Sequence, residues 1–272
     1  MNKVTLLSLA ALLNLAACTP ARDTAEEVVT VDFRARTSKS AVVDDSAIHC
    51  LDIFVYRSDT GAPEAHLRTE GLSASLELPE GVKLDWIVLA NAPEGTDPTQ
   101  CSKMEDNSPT SLVMSGRGSG IFTKSSSVSL KLSRLMSKVV LEKLTPSEGF
   151  SRAYLADVAG TCTYLEGPDT SKVRYNVQGA DMSLNPFLID CLVSSSCTGA
   201  EFLCYPDPLG KTSLVLEMEA PYGTDIYRAR LPALKSNTTY IIKELVIESR
   251  KELRITIQIN PWEEVDSSCT LE

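Results

Sequence analysis

The sequence predicts an all-β protein, built as one antiparallel sandwich or as two. Segment after segment alternates apolar with polar residues at a period of two, as a strand with one buried face does. Turn formers separate these segments at intervals of roughly eight to fifteen residues. Few windows carry the 3.6-residue period of a helix, so a parallel sheet wrapped in helices is disfavoured.

Residues 1–17 stand apart from this pattern. Lys3 supplies a positive start, an apolar run follows from Val4 to Leu13, and Leu15, Ala16 and Ala17 precede Cys18. The run is too short for the roughly 20 residues a helix needs to cross a bilayer, and it has the layout of an export signal. A small residue before a cysteine is the lipoprotein signature, because the thiol is nucleophilic enough to accept a thioether-linked lipid. Cys18 is therefore the expected lipidation site and first residue of the mature chain. Residues 18–27 are polar and contain Pro20, as suits a tether.

The body begins with Val29, Val31 and Phe33, which alternate with polar residues and predict a strand over 28–33. Arg34 to Ser46 is polar and reads as a loop. CLDIFVY (50–56) is a strand, and Asp59, Thr60, Gly61 and Pro63 then mark a turn. In LSASLEL, Leu72, Ala74, Leu76 and Leu78 share one face. Pro79, Glu80 and Gly81 turn the chain into VKLDWIVLAN (82–91), and the two runs together read as a hairpin. Residues 91–127 are rich in Pro, Gly, Ser, Thr, Asn and Asp and read as loop or edge structure. VSLKL (128–132) alternates again. RLMSKVVLEKL (134–144) holds good helix formers, but its β-branched valines and alternating charges favour a strand. AYLADV, TCTYL, VRYNV, EFLCY, SLVLEME, IYRARL, TYIIKELVIE and LRITIQI continue the pattern, and Pro261 ends the last of them.

Formal net charge is −10 over 272 residues, and it becomes −11 once Lys3 leaves with the signal. Such a chain has no electrostatic reason to bind nucleic acid, and its Lys and Arg form no basic stripe. Of eight cysteines, seven remain if Cys18 is lipidated, an odd number that leaves at least one thiol unpaired. Their connectivity cannot be read from spacing. Neither CxxC pairs nor closely spaced histidines occur, so no metal is expected; no cofactor is expected either. His49 and His66 read as solvated, His66 in a polar turn. GRGSG (116–120) lacks the Gly-Lys-Ser/Thr ending of a phosphate loop and reads as a flexible loop. Trp86 and Trp262 suit packing more than a ligand platform. No local context singles out a carboxylate pair or a nucleophile with its base, so the chain reads as a non-enzyme. Asp23-Thr24-Ala25 and Asp45-Ser46-Ala47 resemble short O-glycosylation sites of some exported proteins.

The order of these pieces resembles one family. A lipoprotein signal is followed by LDIFVYR, WIVLANAP (86–93), LVMSGRG (112–118), VSLKLSRLMSKVVL (128–141), TYIIKELVIE and ITIQINPWEE. This order is similar to that of the fimbrillin-type lipoproteins of Bacteroides and its relatives, with FimA-like and Mfa-like pilus subunits. Met114-Ser115-Gly116, Arg134 with Lys138, and Pro261-Trp262 carry most of the likeness. The resemblance implies two transthyretin-like, Greek-key sandwich domains, over 28–136 and 137–272, joined near 134–138. It also implies a surface-exposed, outer-membrane lipid anchor through Cys18 and a place in the fimbrium. Its partners would be other pilus subunits, with host or bacterial surface ligands as further candidates. In polymerising members a trypsin-like protease cuts after an arginine and removes the first strand, and a neighbour's strand fills the groove. Here Arg34 and Arg36 are the candidate cut sites, with Arg22 behind them, and Val29, Val31 and Phe33 mark the candidate displaced strand. The short segment after Cys18 and the many cysteines leave an uncleaved anchor or a tip subunit as alternatives. The reading from another class is a surface carbohydrate-binding lipoprotein, against which stands an aromatic content of only 6%.

Overall fold

The computed structural model describes residues 27–35, 48–107, 111–145, 150–165, 200–249 and 252–261. Among these, regular structure is strand apart from a single 3-10 turn at Met104–Asp106. The strands of the first half are β1 (Val28–Ala35), β2 (Leu51–Arg57), β3 (Pro63–Thr69), β4 (Ser73–Pro79), β5 (Lys83–Ala90), β6 (Cys101–Lys103), β7 (Met114–Ile121), β8 (Ser126–Leu130) and β9 (Ser133–Arg134). Those of the second half are β10 (Ser137–Leu141), β11 (Leu144–Thr145), β12 (Phe150–Ala156), β13 (Thr161–Thr163), β14 (Ala200–Cys204), β15 (Ser213–Ala220), β16 (Gly223–Arg230), β17 (Thr238–Ser249) and β18 (Glu252–Pro261). The all-β class read from the sequence is the class observed.

Two layers face each other in each half. The first half sets the sheet β4-β1-β8 against the sheet β3-β2-β5-β7-β9, and the second sets β12-β15-β16 against β11-β17-β10-β14, with β18 paired to β17. One apolar cluster draws on residues between Val29 and Leu130, a second on residues between Val139 and Leu245. A third joins the halves, packing Leu89, Leu112 and Met104 against Met136, Cys162, Leu203 and Tyr205. The β6–β13 ladder runs across the same junction.

Four sequence expectations change. Leu72–Leu78 and Val82–Asn91 do not form a hairpin: β4 pairs with β1, whereas β5 pairs with β2 and β7. The Pro79–Gly81 turn instead carries the chain from one layer to the other, so that Leu78 and Trp86 enter the same core from opposite sides. GRGSG is not a loop but the middle of β7. Its glycines recur every second residue on the inward face, where a Cβ on Gly118 would sit 2.6 Å from the Trp86 ring and one on Gly120 3.4 Å from it. The glycines are the room for an indole, which composition alone disguises as a turn. His66 lies on β3, a strand whose polar sequence PEAHLRT hides its nature. Finally, the sheets are mixed, because β1 runs parallel to β8, and β10 and β11 run parallel to β17.

Candidate functional site: the slot of the first strand

The sequence VVTVDFRA puts an apolar side chain on the inner face at every second position, and in β1 Val29, Val31, Phe33 and Ala35 are all buried. Burying each of the larger three stabilises the fold by roughly 1.5–3 kcal/mol. The strand is held on both edges. Val28 to Arg34 pair antiparallel with Pro79 to Ser73 of β4, and Val31 to Ala35 pair in parallel with Ser126 to Leu130 of β8. Beyond the ladder ends, the Ala35 amide donates to the Leu72 carbonyl at 2.7 Å and the Glu80 amide to the Glu27 carbonyl at 2.7 Å. β1 therefore fills a slot with main-chain partners on each side and a core beneath.

The floor of that slot is shaped by one aromatic group. Phe33 meets Trp86 edge to face, with ring centroids 5.6 Å apart and planes at 73°. Such a pair adds stabilisation beyond the area it buries. Trp86 lies against the Gly118 and Gly120 backbone and within 5.9 Å of the Phe122 ring, and opposite Phe33 on β4 stands the small Ala74. Trp86 is thus interior, as its place in an alternating strand led us to expect.

The outer face of β1 is polar. Asp32 accepts a hydrogen bond from the Ser75 hydroxyl at 2.6 Å and pairs with Arg34 at 3.1 Å. The Ser75 hydroxyl first, and the Arg34 guanidinium second, hold the Asp32 carboxyl below its ordinary value. Arg34 is exposed, and in register it lies between Ser73 of β4 and Ser129 of β8. Cys18, Arg22, Arg36 and Trp262 lie outside the described residues. Spacing in the sequence picked out Val29, Val31 and Phe33, and the alternation of VSLKL overlaps β8; it missed Ala35, the pairing of β8 with β1 and the glycine stripe. The stripe was findable, since glycines at 116, 118 and 120 repeat at strand period.

Away from the slot, the outer face of the second sheet carries a charged cluster. Asp52, 3% exposed, takes Arg68 and lies 3.3 Å from His66 Nε2, while His66 stacks on Phe54 at 4.3 Å. A cleft of about 530 Å³ is lined by Asp85, Trp86, Ile87, Arg117, Gly118, Ser119 and Leu165. At the junction, the buried Tyr205 hydroxyl makes contacts of 2.7 Å with Ser102 Oγ, 2.8 Å with Asn107 Nδ2 and 2.6 Å with the Lys103 carbonyl. Burial pushes the phenol well above the ordinary tyrosine range, and it pushes the thiols of Cys162 and Cys204 up to about 12. Among the described cysteines, Cys50, Cys101, Cys162 and Cys204 are free thiols.

This fold is that of fimbrial and cell adhesion proteins of Bacteroides and its relatives. The chain superposes on a Bacteroides eggerthii protein, whose name ascribes to it a role in cell adhesion, with a TM-score of 0.64 at 14% identity, covering 87% of this chain and 97% of the other. The tip fimbrial protein Mfa3 of Porphyromonas gingivalis, truncated at its C-terminus, gives 0.61 at 13% identity over 87% and 100% of the two chains. A fimbrial assembly protein of Parabacteroides distasonis gives 0.58 at 14% identity over 86% and 100%. No family model and no curated protein matches the sequence. The family resemblance read from the order of the sequence motifs holds at the level of the fold.

Proposed function

We propose that the chain is a structural or adhesive component of a cell-surface pilus, exported as a lipoprotein through Cys18 and built into the fibre by strand addition. Its parts are a signal over 1–17, a tether over 18–27 and two sandwich domains over 28–136 and 137–272. The observation that carries this reading is the post of β1. It is the first described strand, it lies between two partners, and each of its inward side chains completes the core. Taking it away leaves two unpaired strand edges and an apolar trench, which a strand from another subunit repairs with the same main-chain hydrogen bonds. The shared fold of fimbrial proteins supports the same reading.

Arg36 is the better of the two cut sites. A cut must take away the whole of β1 to open the slot from end to end. A cut after Arg36 releases Ala35, the last inward residue, whereas a cut after Arg34 leaves it behind. Mass spectrometry of chain recovered from sheared surface fibres is the test, and the expected N-terminus is Thr37. A chain found only in the cytoplasm, or never with fibres, overturns the pilus reading. A fibre-associated chain that keeps a lipidated Cys18 replaces the polymerising subunit with an anchor.

A further inference from the structure

The trench beneath β1 is graded along its length, and we infer that it selects its occupant by a single aromatic side chain seated where Phe33 sits. This inference rests on the strand-addition reading above. Four inward positions exist, and they are not equivalent. Val29 and Val31 face Leu78 and Leu76 of β4, ordinary cross-strand partners that fill their own space. Phe33 faces Ala74, whose methyl leaves room, and on the β8 side its register partner is Val128. Below it stands the Trp86 ring, and below Trp86 the bare backbone of Gly118 and Gly120. The final position holds only Ala35, beside Leu130.

The depth at the third position comes from a chain of concessions in other strands. A Cβ on Gly118 would come within 2.8 Å of three Trp86 ring atoms, so the indole occupies its present plane only because residue 118 lacks one. In that plane it offers its interior surface to an aromatic ring. An aliphatic side chain at the same position leaves part of this space empty, and a void in a packed core loses contacts outright. The occupant is therefore a strand of a second protein carrying two branched aliphatic residues, one aromatic and one small residue at alternate positions. A second copy of this chain is a poor donor through β18. That strand offers Leu253, Ile255, Ile257 and Ile259, with no aromatic among them.

The test uses the full mature chain carrying one engineered protease site between Arg36 and Ile48. The cut protein is unfolded and refolded with excess fluorescent peptide, so that exchange does not wait on spontaneous release of β1. A peptide of the Val28–Ala35 sequence should be retained. The same peptide with Phe33→Ala should bind more weakly by at least about 150-fold, since loss of a buried aromatic is among the costliest core truncations. Val31→Ala should cost less, about 10- to 30-fold, and the Glu252–Pro261 sequence should fall with the Phe33→Ala peptide. In a Gly118→Ala chain, where the indole is pushed toward the slot, the parent peptide should weaken while the Phe33→Ala peptide does not. If that variant fails to fold, the peptide series on the unsubstituted chain still decides. Retention of the Phe33→Ala peptide or of the Glu252–Pro261 peptide within about threefold of the parent overturns the aromatic selection and leaves strand addition standing. Failure of every peptide, the parent included, overturns strand addition itself.

Discussion

β1 and β10 hold the same post in the two halves of the molecule. Each lies between an antiparallel neighbour and a parallel one, β1 between β4 and β8, β10 between β14 and β17. Each turns alternate residues into a core, Val29, Val31, Phe33 and Ala35 in one, Ser137, Val139 and Leu141 in the other. What differs is the covalent setting. β10 follows β9, which is sewn into the first half by its pairing with β7, and leads into β11, which pairs with β17. No single cut frees it. Among the described residues no strand precedes β1, so one cut in the connection to β2 separates it covalently from every later strand. On the proposed strand addition, similar packing and unequal tethering would make β1 the exchangeable strand and β10 the permanent one.

The largest expected effect separates these two properties. Phe33→Ala and Leu141→Ala each remove a fully buried side chain and should each cost about 3–5 kcal/mol. Their consequences for hydrogen exchange should differ. Phe33→Ala should deprotect the amides of β1, β4 and β8 and leave the second core protected, because β1 contributes nothing to it. Leu141→Ala should lower protection throughout the second half, since β10 opens only when its whole core does. If Leu141→Ala opens β10 alone, the argument from tethering fails.

The sequence made β1 legible and left β10 blurred, for a physical reason. Period-two alternation is clear where one face is wet, as at Thr30, Asp32 and Arg34. In β10, Lys138 and Val140 on the outward face are themselves half-buried, so the pattern is less clean. The same cause hid β3, whose residues are nearly all half-exposed, and the glycines of β7, whose inward face is a space and not a side chain. The false hairpin between β4 and β5 has another origin. Alternation tells which face of a strand is buried, but two strands that face one core from opposite layers have the same pattern as two that pair. Only partners distant in sequence, β1 for the one and β2 and β7 for the other, distinguish the cases.

A middle-sized effect tests whether the halves act as one body. The Tyr205 hydroxyl of the second half accepts from the Asn107 amide, donates to the Lys103 carbonyl and shares a hydrogen bond with the Ser102 hydroxyl, all groups of the first half. Tyr205→Phe leaves those buried groups without their shared partner and should cost about 1–3 kcal/mol. If the junction couples the halves, the variant should split a single denaturation transition into two, with the first half melting earlier. One coincident transition at lower denaturant would mean that the apolar cluster alone carries the coupling.

The smallest effect lies on the outer face of β1, where a charge contributes to holding the strand in place. The Ser75 hydroxyl and the Arg34 guanidinium favour the ionised Asp32 carboxyl in the folded strand, so its value there lies below the ordinary 3.8. A group depressed in this way stabilises the docked strand above that ordinary value and loses its contribution as the pH falls below it. In protein nicked between Arg36 and Ile48, release of β1 should therefore speed up on acidification. Other carboxylates titrate in the same range, so the comparison is with Asp32→Asn, which should release β1 slightly faster than the parent at neutral pH and converge with it in acid. The difference should be small, because the pair is exposed and screened by solvent. It should also be confined to β1: the outward Lys138–Glu201 pair of β10, at 3.3 Å, sits on a strand that the same nick cannot free. A parent and variant that stay apart in acid would show that Asp32 acts on the strand through something other than its charge.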